Sequence, residues 1–251
     1  VRAAALETRA LCKSFGALTV AAGINFRLEA GARHALIGPN GAGKTTFVNM
    51  LTGVLSPSSG RIVLAGEDIT ATGQAKRVKL GLGRTFQINA LFRRLPVLDN
   101  VALAVAERRG VAPRMLRAAS AHGDVRDESM ELLATLGLAE DAGVRILDLP
   151  YGKQRLVEIA IALGLKPDVL LLDEPAAGVP SLESHRILQV LDKLPEHIAI
   201  LIIEHDMDLV FRFAQRITVL VQGEVLVEGP PEEIARDKHV HQVYLGEQRH
   251  V

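Results

Sequence analysis

The sequence predicts an α/β fold: a mostly parallel central sheet, a strand-rich N-terminal third, and an inserted helical segment. Three observations predict it. Val169–Leu172 and Ile198–Ile203 are wholly apolar runs of strand length, each followed by a helical pattern. Strands without polar alternation are covered on both faces, as in parallel sheets. The first third reads as short strands and turns, whereas from about Gln87 to Gly152 helical periodicity replaces them.

Taken in order, Ala10–Phe15, Ala17–Val20 and Ile24–Leu28 are apolar-rich runs, and Glu29-Ala30-Gly31 turns the chain into a strand at His34–Ile37. A Gly-rich loop leads to a helix from about Lys44 to Thr52, where Gly53 supplies a left-handed cap. Ser56–Gly60 is dense in turn residues and Arg61–Leu64 resumes as a strand. Within the insertion, Glu128–Leu136 has helical spacing. After it come a strand at Val169–Leu172, a helix at Leu182–Leu194, a strand at Ile198–Ile203 and a helix at Asp206–Ala214. This alternation implies parallel pairing with right-handed crossovers. Ile217–Val221 and Glu224–Val227 flank a Gln222-Gly223 turn, and a polar tail begins at Pro230-Pro231.

Composition narrows the function classes. The 29 basic and 29 acidic side chains cancel, and aromatics make up only 4% with no Trp. Neither the positive field nor the stacking platform of a nucleic-acid binder is present, so no nucleic-acid partner is expected. The lone Cys12 excludes an internal disulfide and a multi-cysteine metal site. No window reaches the roughly 18 apolar residues that span a bilayer, and no basic-then-apolar leader opens the sequence. A cytoplasmic location follows as an expectation.

Gly38-Pro39-Asn40-Gly41-Ala42-Gly43-Lys44-Thr45-Thr46 matches G-x-x-x-x-G-K-[ST] between a strand and a helix. Glycines let backbone N–H groups converge on phosphate oxygens, and the helix adds its partial positive end. Lys44 reaches the β- and γ-phosphates of ATP, and the Thr45 hydroxyl holds Mg²⁺. By accident the pattern arises in roughly one per cent of chains this size, so the loop predicts a P-loop NTPase.

Asp173-Glu174 ends the buried strand Val169–Leu172, where ligands of parallel sheets bind. Asp173 is suited to orienting Mg²⁺ and Glu174 to taking a proton from the attacking water. His205, following Ile200–Glu204, arrives at the same edge within reach of a γ-phosphate oxygen.

Together these residues resemble the nucleotide-binding subunit of ATP-binding-cassette transporters, over almost the whole chain. The resemblance implies an N-terminal antiparallel β subdomain, a core ATPase over 1–86 and 153–251, and a helical subdomain over 87–152. Arg84-Thr85-Phe86-Gln87 is similar to the loop whose glutamine binds Mg²⁺ beside the nucleotide and senses the membrane subunit, which gives Gln87 that role. Leu149-Pro150-Tyr151-Gly152-Lys153-Gln154 is similar to the signature, which acts on ATP bound by the opposite protomer. His205 matches the switch histidine, and Phe15 the aromatic that stacks on adenine. A head-to-tail dimer closing on ATP follows.

Tyr151–Arg155, Asp173–Gly178, Glu204–Met207 and Val243–Glu247 resemble ATPases of branched-chain amino-acid importers. That type implies a second ATPase subunit, integral permeases and a periplasmic binding protein, with this chain peripheral on the cytoplasmic face of the inner membrane. A lipopolysaccharide-export ATPase, a soluble cassette ATPase and a regulatory subunit with little turnover are the alternatives. Two departures stand out: Pro150 replaces the usual signature serine, and Val179-Pro180-Ser181 lacks the usual aspartate.

Overall fold

The computed structural model describes residues 4–85, 91–111 and 123–247. They fall into two compact units. One runs to Leu82 and resumes over Asp168–Glu174 and from Pro195 onward; the other lies between Gly83 and Pro167 and over Pro175–Leu194. In chain order, β1 (Ala4–Phe15) and β2 (Leu18–Glu29) precede β3 (Arg33–Ile37), α1 (Lys44–Thr52), β4 (Ser59–Leu64), β5 (Glu67–Asp68), α2 (Gln74–Lys79) and β6 (Leu82–Arg84). Next come α3 (Val97–Arg108), α4 (Gly123–Thr135), α5 (Tyr151–Gly164), β7 (Val169–Asp173), α6 (Ser181–Asp192), β8 (Ala199–Ile203) and α7 (Met207–Phe213). The chain closes through β9 (Arg216–Val221), β10 (Glu224–Gly229), α8 (Pro231–Ile234) and α9 (Lys238–Glu247).

The described strands form two sheets. An antiparallel sheet has the order β2-β1-β4-β5, and the central one β10-β9-β3-β8-β7-β6. In the central sheet β3 pairs in parallel with β8 and β9, and β7 with β8. The fold is thus the α/β arrangement read from the sequence. Every residue of β8 is buried, as are Val169–Leu172 of β7, because both faces of these strands are covered. Phe26 and Leu28 of the antiparallel sheet, Leu171 and Leu201 of the central sheet, and Phe47, Met50 and Leu51 of α1 share one core. Phe47 is fully buried there, so Phe47→Ala would cost about 3–5 kcal/mol. The helix carrying the phosphate loop is anchored by that burial.

Several elements differ from expectation. Apart from Ala17, the runs at 17–20 and 24–28 belong to a single strand, β2, which passes through Gly23 at φ +69. The ladder shifts register there, between Leu11↔Ile24 and Lys13↔Ala21. Helix α2 has no apolar periodicity; its buried residue is Arg77. The polar tail contains α8 and α9.

In the second unit α3, α4 and α5 pack on one another. Helix α5 passes close to α3 at Gly164, where a Cβ would make ordinary contact at 3.4 Å with both Ala104 Cβ and Val105 Cγ2. Glu128 of α4 accepts from Arg108 (2.7 Å) and Arg109 (2.6 Å) and pairs with Lys166 at 3.1 Å. These cations, the Arg108 bond foremost, hold its carboxyl at about 2. Among the described residues no helix is long and apolar enough to cross a membrane.

Candidate active site

Three neighbouring parallel strands carry the candidate residues to one edge. The phosphate loop leaves β3 after Ile37, Glu174 follows Asp173 at the end of β7, and His205 follows β8 by two residues. The strand order β3-β8-β7 makes their carboxyl ends adjacent.

The loop is locked by backbone. A Cβ at Gly38 would sit 2.1 Å from the Leu220 carbonyl oxygen of β9, and one at Gly43 2.7 Å from that of Val20. Any other residue would push the loop off the sheet. Gly43, at φ +98, is the cap of α1 and brings no side-chain acceptor to the helix N-terminus. Its backbone N–H groups are therefore offered to an anion rather than to a capping side chain. Ala42 N–H donates to Pro39 O at 3.2 Å, closing the turn through Asn40 and Gly41. Lys44 Nζ donates to the carbonyl oxygens of Gly38 (2.6 Å) and Pro39 (3.0 Å), at the loop itself. Thr45 is exposed beside it and Thr46 half-buried.

Glu174 has φ +47, the left-handed region that side chains other than glycine seldom adopt. Its N–H donates to Ile203 O of the neighbouring strand at 2.9 Å, which holds this strained residue in place. The resulting turn carries its carboxylate out of the sheet. His205 Nδ1 stands 3.6 Å from Glu174 Oε1, and both side chains are about half exposed or more, at 65% and 47%. The histidine is fixed from both sides along the chain. Buried Glu204 accepts its backbone N–H at 3.2 Å, and Asp206 caps α7 by accepting from Asp208 and Leu209.

Phe15 closes the β1–β2 hairpin opposite Leu18 and is 50% exposed. Lys13 Nζ sits 5.0 Å from its ring centroid and donates to Ser56 O, so a ring is held with a flat apolar surface at the protein's exterior. Gln87 lies outside the described residues.

The signature segment belongs to the second unit. Pro150 is the cap of α5 and makes no side-chain cap bond. Gln154, buried, bends back so that its Nε2 donates to Leu149 O at 2.8 Å. Lys153 Nζ donates to both carboxylate oxygens of Asp141. Gly152 is buried and Tyr151 is 42% exposed, with Arg155 5.4 Å over its ring.

The sequence model of the family described as ABC transporter matches residues 21–177. The chain is 36% identical over 249 residues, 96% of its length and 98% of the relative's, to the high-affinity branched-chain amino acid transport ATP-binding protein LivG of Escherichia coli (strain K12). The chain belongs to the ABC transporter family. A second model, described as branched-chain amino acid ATP-binding cassette transporter, matches residues 224–250 of this cassette. The cassette is also 35% identical over 244 residues, 97% of both chains, to the lipopolysaccharide export system ATP-binding protein LptB of Acidithiobacillus ferridurans. It superimposes with a TM-score of 0.86 and 28% identity on the ADP conformation of MJ1267, an ATP-binding cassette of an ABC transporter, covering 97% of this chain and 99% of that one. The cassette therefore binds nucleotide.

The donors of the cassette fit a nucleotide with Mg²⁺. A hydroxyl at Thr45 and a carboxylate at Asp173, together with phosphate oxygens and water, match that ion's preference for few protein ligands. Among the described residues no cluster of three or more His, Cys, Asp or Glu is present, and this mode of binding needs none. The structure adds residues that the sequence did not single out. Gly223, at φ +82, donates its N–H to Ala42 O and accepts from Ala22 N–H, both at 2.9 Å. It clamps the phosphate loop to β2. The Gln222-Gly223 turn was legible, but its partner was not. Asp206 carried a signal, an Asp directly before an apolar helical run.

Proposed function

We propose that this cassette hydrolyses ATP and powers a membrane importer of branched-chain or related amino acids. The observation that carries the reading is the convergence of Lys44, Asp173–Glu174 and His205 at adjacent carboxyl ends of β3, β7 and β8. Glu174 takes a proton from water as the water oxygen bonds to the γ-phosphorus. The bond from that phosphorus to the bridging oxygen breaks, and ADP leaves with the electron pair. Lys44 and the α1 N-terminus stabilise the phosphate charge, and His205 holds a γ-phosphate oxygen and orients Glu174. Phe15 stacks on the adenine. Thr45, Asp173 and Gln87 would hold Mg²⁺, which when bound would further neutralise that charge.

The signature, Pro150 to Gln154, acts on the ATP of a second ATPase subunit, identical or different, so hydrolysis is coupled to opening of the pair. Permeases dock the pair on the cytoplasmic face of the inner membrane, and a periplasmic binding protein delivers the cargo. The match of residues 224–250 and the likeness to LivG support the importer. The likeness to LptB supports lipopolysaccharide export as the second reading. Pro150 brings no hydroxyl to the signature and Val179-Pro180-Ser181 no aspartate, so turnover is slow or dependent on the permeases.

The test is ATPase assay of the purified chain beside Glu174→Gln. The reading expects phosphate release in the first and at least about 100-fold less in the second; undiminished release from the variant refutes it. Uptake of labelled leucine by vesicles holding the ATPases and their permeases separates import from export.

A further inference from the structure

The second unit contains a buried charged pair that neither the fold nor the proposed chemistry uses. Arg155 Nη1 donates to Glu158 Oε2 at 3.0 Å on α5, and their side chains are only 11% and 3% exposed. Arg155 Nε and Glu158 Oε1 have no hydrogen-bond partner among the described residues. Two buried charges with half of their bonding unmet stabilise a helix bundle less than an apolar pair of the same size. Something other than stability has to account for them.

The guanidinium supplies the answer by what it faces. It stands 5.4 Å over the ring of Tyr151, one helical turn earlier and in the first turn of α5. Residues at i and i+4 lie on one helix face, and a cation over an aromatic face holds that ring in one orientation. Glu158 in turn fixes the guanidinium from the following turn. A second neighbour of the ring is Gly178. It has φ +72, and a Cβ built on it would meet Tyr151 Cε1 at 3.4 Å and both Cζ and Oη at 3.6 Å. Gly178 belongs to the turn that follows Glu174 in sequence, closed by Val179 N–H donating to Ala176 O at 3.1 Å.

We propose that Arg155 and Glu158 are positioning residues which, through Tyr151, hold the signature turn against the Ala176–Val179 turn so that the two move together. The functional consequence rests on the ATPase reading above: in a chain without the usual aspartate at 179–181, this contact joins the signature to the loop behind the general base. The contact itself does not depend on hydrolysis.

Hydrogen exchange of the Ala176–Val179 amides in the full chain, without nucleotide, is the direct test. Tyr151→Ala and Arg155→Met are each expected to speed exchange about tenfold, whereas Tyr151→Phe, which keeps the ring, and Arg155→Lys, which keeps the cation, preserve slow exchange. The double variant Tyr151→Ala/Arg155→Met should exchange no faster than either single one, since both cut the same chain of contacts. Unchanged exchange in Tyr151→Ala, or multiplied effects in the double variant, overturns the proposal. Where ATPase activity is present, Arg155→Met should lower kcat about tenfold at unchanged KM for ATP. A fall confined to melting temperature, rescued by neither conservative variant, would mark the pair as merely structural and also overturn it. The exchange pattern in a chain that shows no ATPase activity would support the positioning role and refute the ATPase reading alone.

Discussion

His205 Nδ1 lies 3.6 Å from Glu174 Oε1, although the two residues are 31 positions apart and reach each other only because β7 and β8 pair in parallel. In the proposed mechanism this histidine orients the carboxylate that accepts the water's proton. His205→Ala should lower kcat for ATP by about 100-fold and leave the affinity for ATP nearly unchanged, as measured by steady-state kinetics and nucleotide titration.

Arg77 should matter for stability rather than turnover. It is 1% exposed and donates to four carbonyl oxygens, those of Met50, Leu51, Thr70 and Thr72. Two of them end α1, where a cation also meets the negative end of the helix dipole. Arg77→Met takes the guanidinium donors from the Leu51, Thr70 and Thr72 carbonyl oxygens, while Met50 O keeps its bond from Gly53 N–H, at a cost of about 3 kcal/mol or more. Urea unfolding at pH 7 should show the loss in the midpoint.

Gly223→Ala separates the geometry of the phosphate loop from its chemistry. The new methyl would stand 2.4 Å from Val20 O, in a residue already at φ +82. The turn that bonds Ala42 must shift, so ATP affinity should fall while the catalytic residues remain intact. Calorimetric titration with ATP and Mg²⁺ should show binding at least about tenfold weaker, a loss of roughly 1.4 kcal/mol.

Two buried groups give opposite pH dependences. His34 is 1% exposed, bonded to Thr218 Oγ1 at 2.8 Å, and burial pushes its pKa down to about 4. The unfolded chain takes up that proton first, so His34 removes stability as pH falls from about 6.5 towards 4, by about 3 kcal/mol at most. Burial pushes Glu158 up to about 7 against the pull of Arg155. The folded chain then keeps that proton longer, so Glu158 removes stability as pH rises from about 4.5 to 7. Chemical unfolding from pH 4 to 7 should show a shallower dependence in His34→Gln and a steeper rise with pH in Glu158→Gln.

The sequence revealed most where a motif or a wholly apolar run marked the backbone. Lys44–Thr52 is helical over the span expected because Gly43 and Gly53 punctuate both ends. Strands β7 and β8 were legible because nothing polar interrupts them before Asp173 and Glu204. What stayed hidden depends on contacts distant in sequence. Arg77 reads as a surface cation on a short polar helix until α1 is placed above it. Gly223 reads as an ordinary hairpin turn until Ala42 is seen beside it. Gly23 reads as a break between two strands, yet its left-handed backbone carries β2 through as one.

The most direct test of the account is sedimentation of Glu174→Gln with ATP and Mg²⁺. In the proposed pair an ATP clasped by Lys44 of one copy and the Gly152 turn of another joins them. A pair should form only with ATP, dissociate with ADP, and be absent in Lys44→Ala. A Glu174→Gln chain that binds ATP and stays single at saturating nucleotide would contradict it.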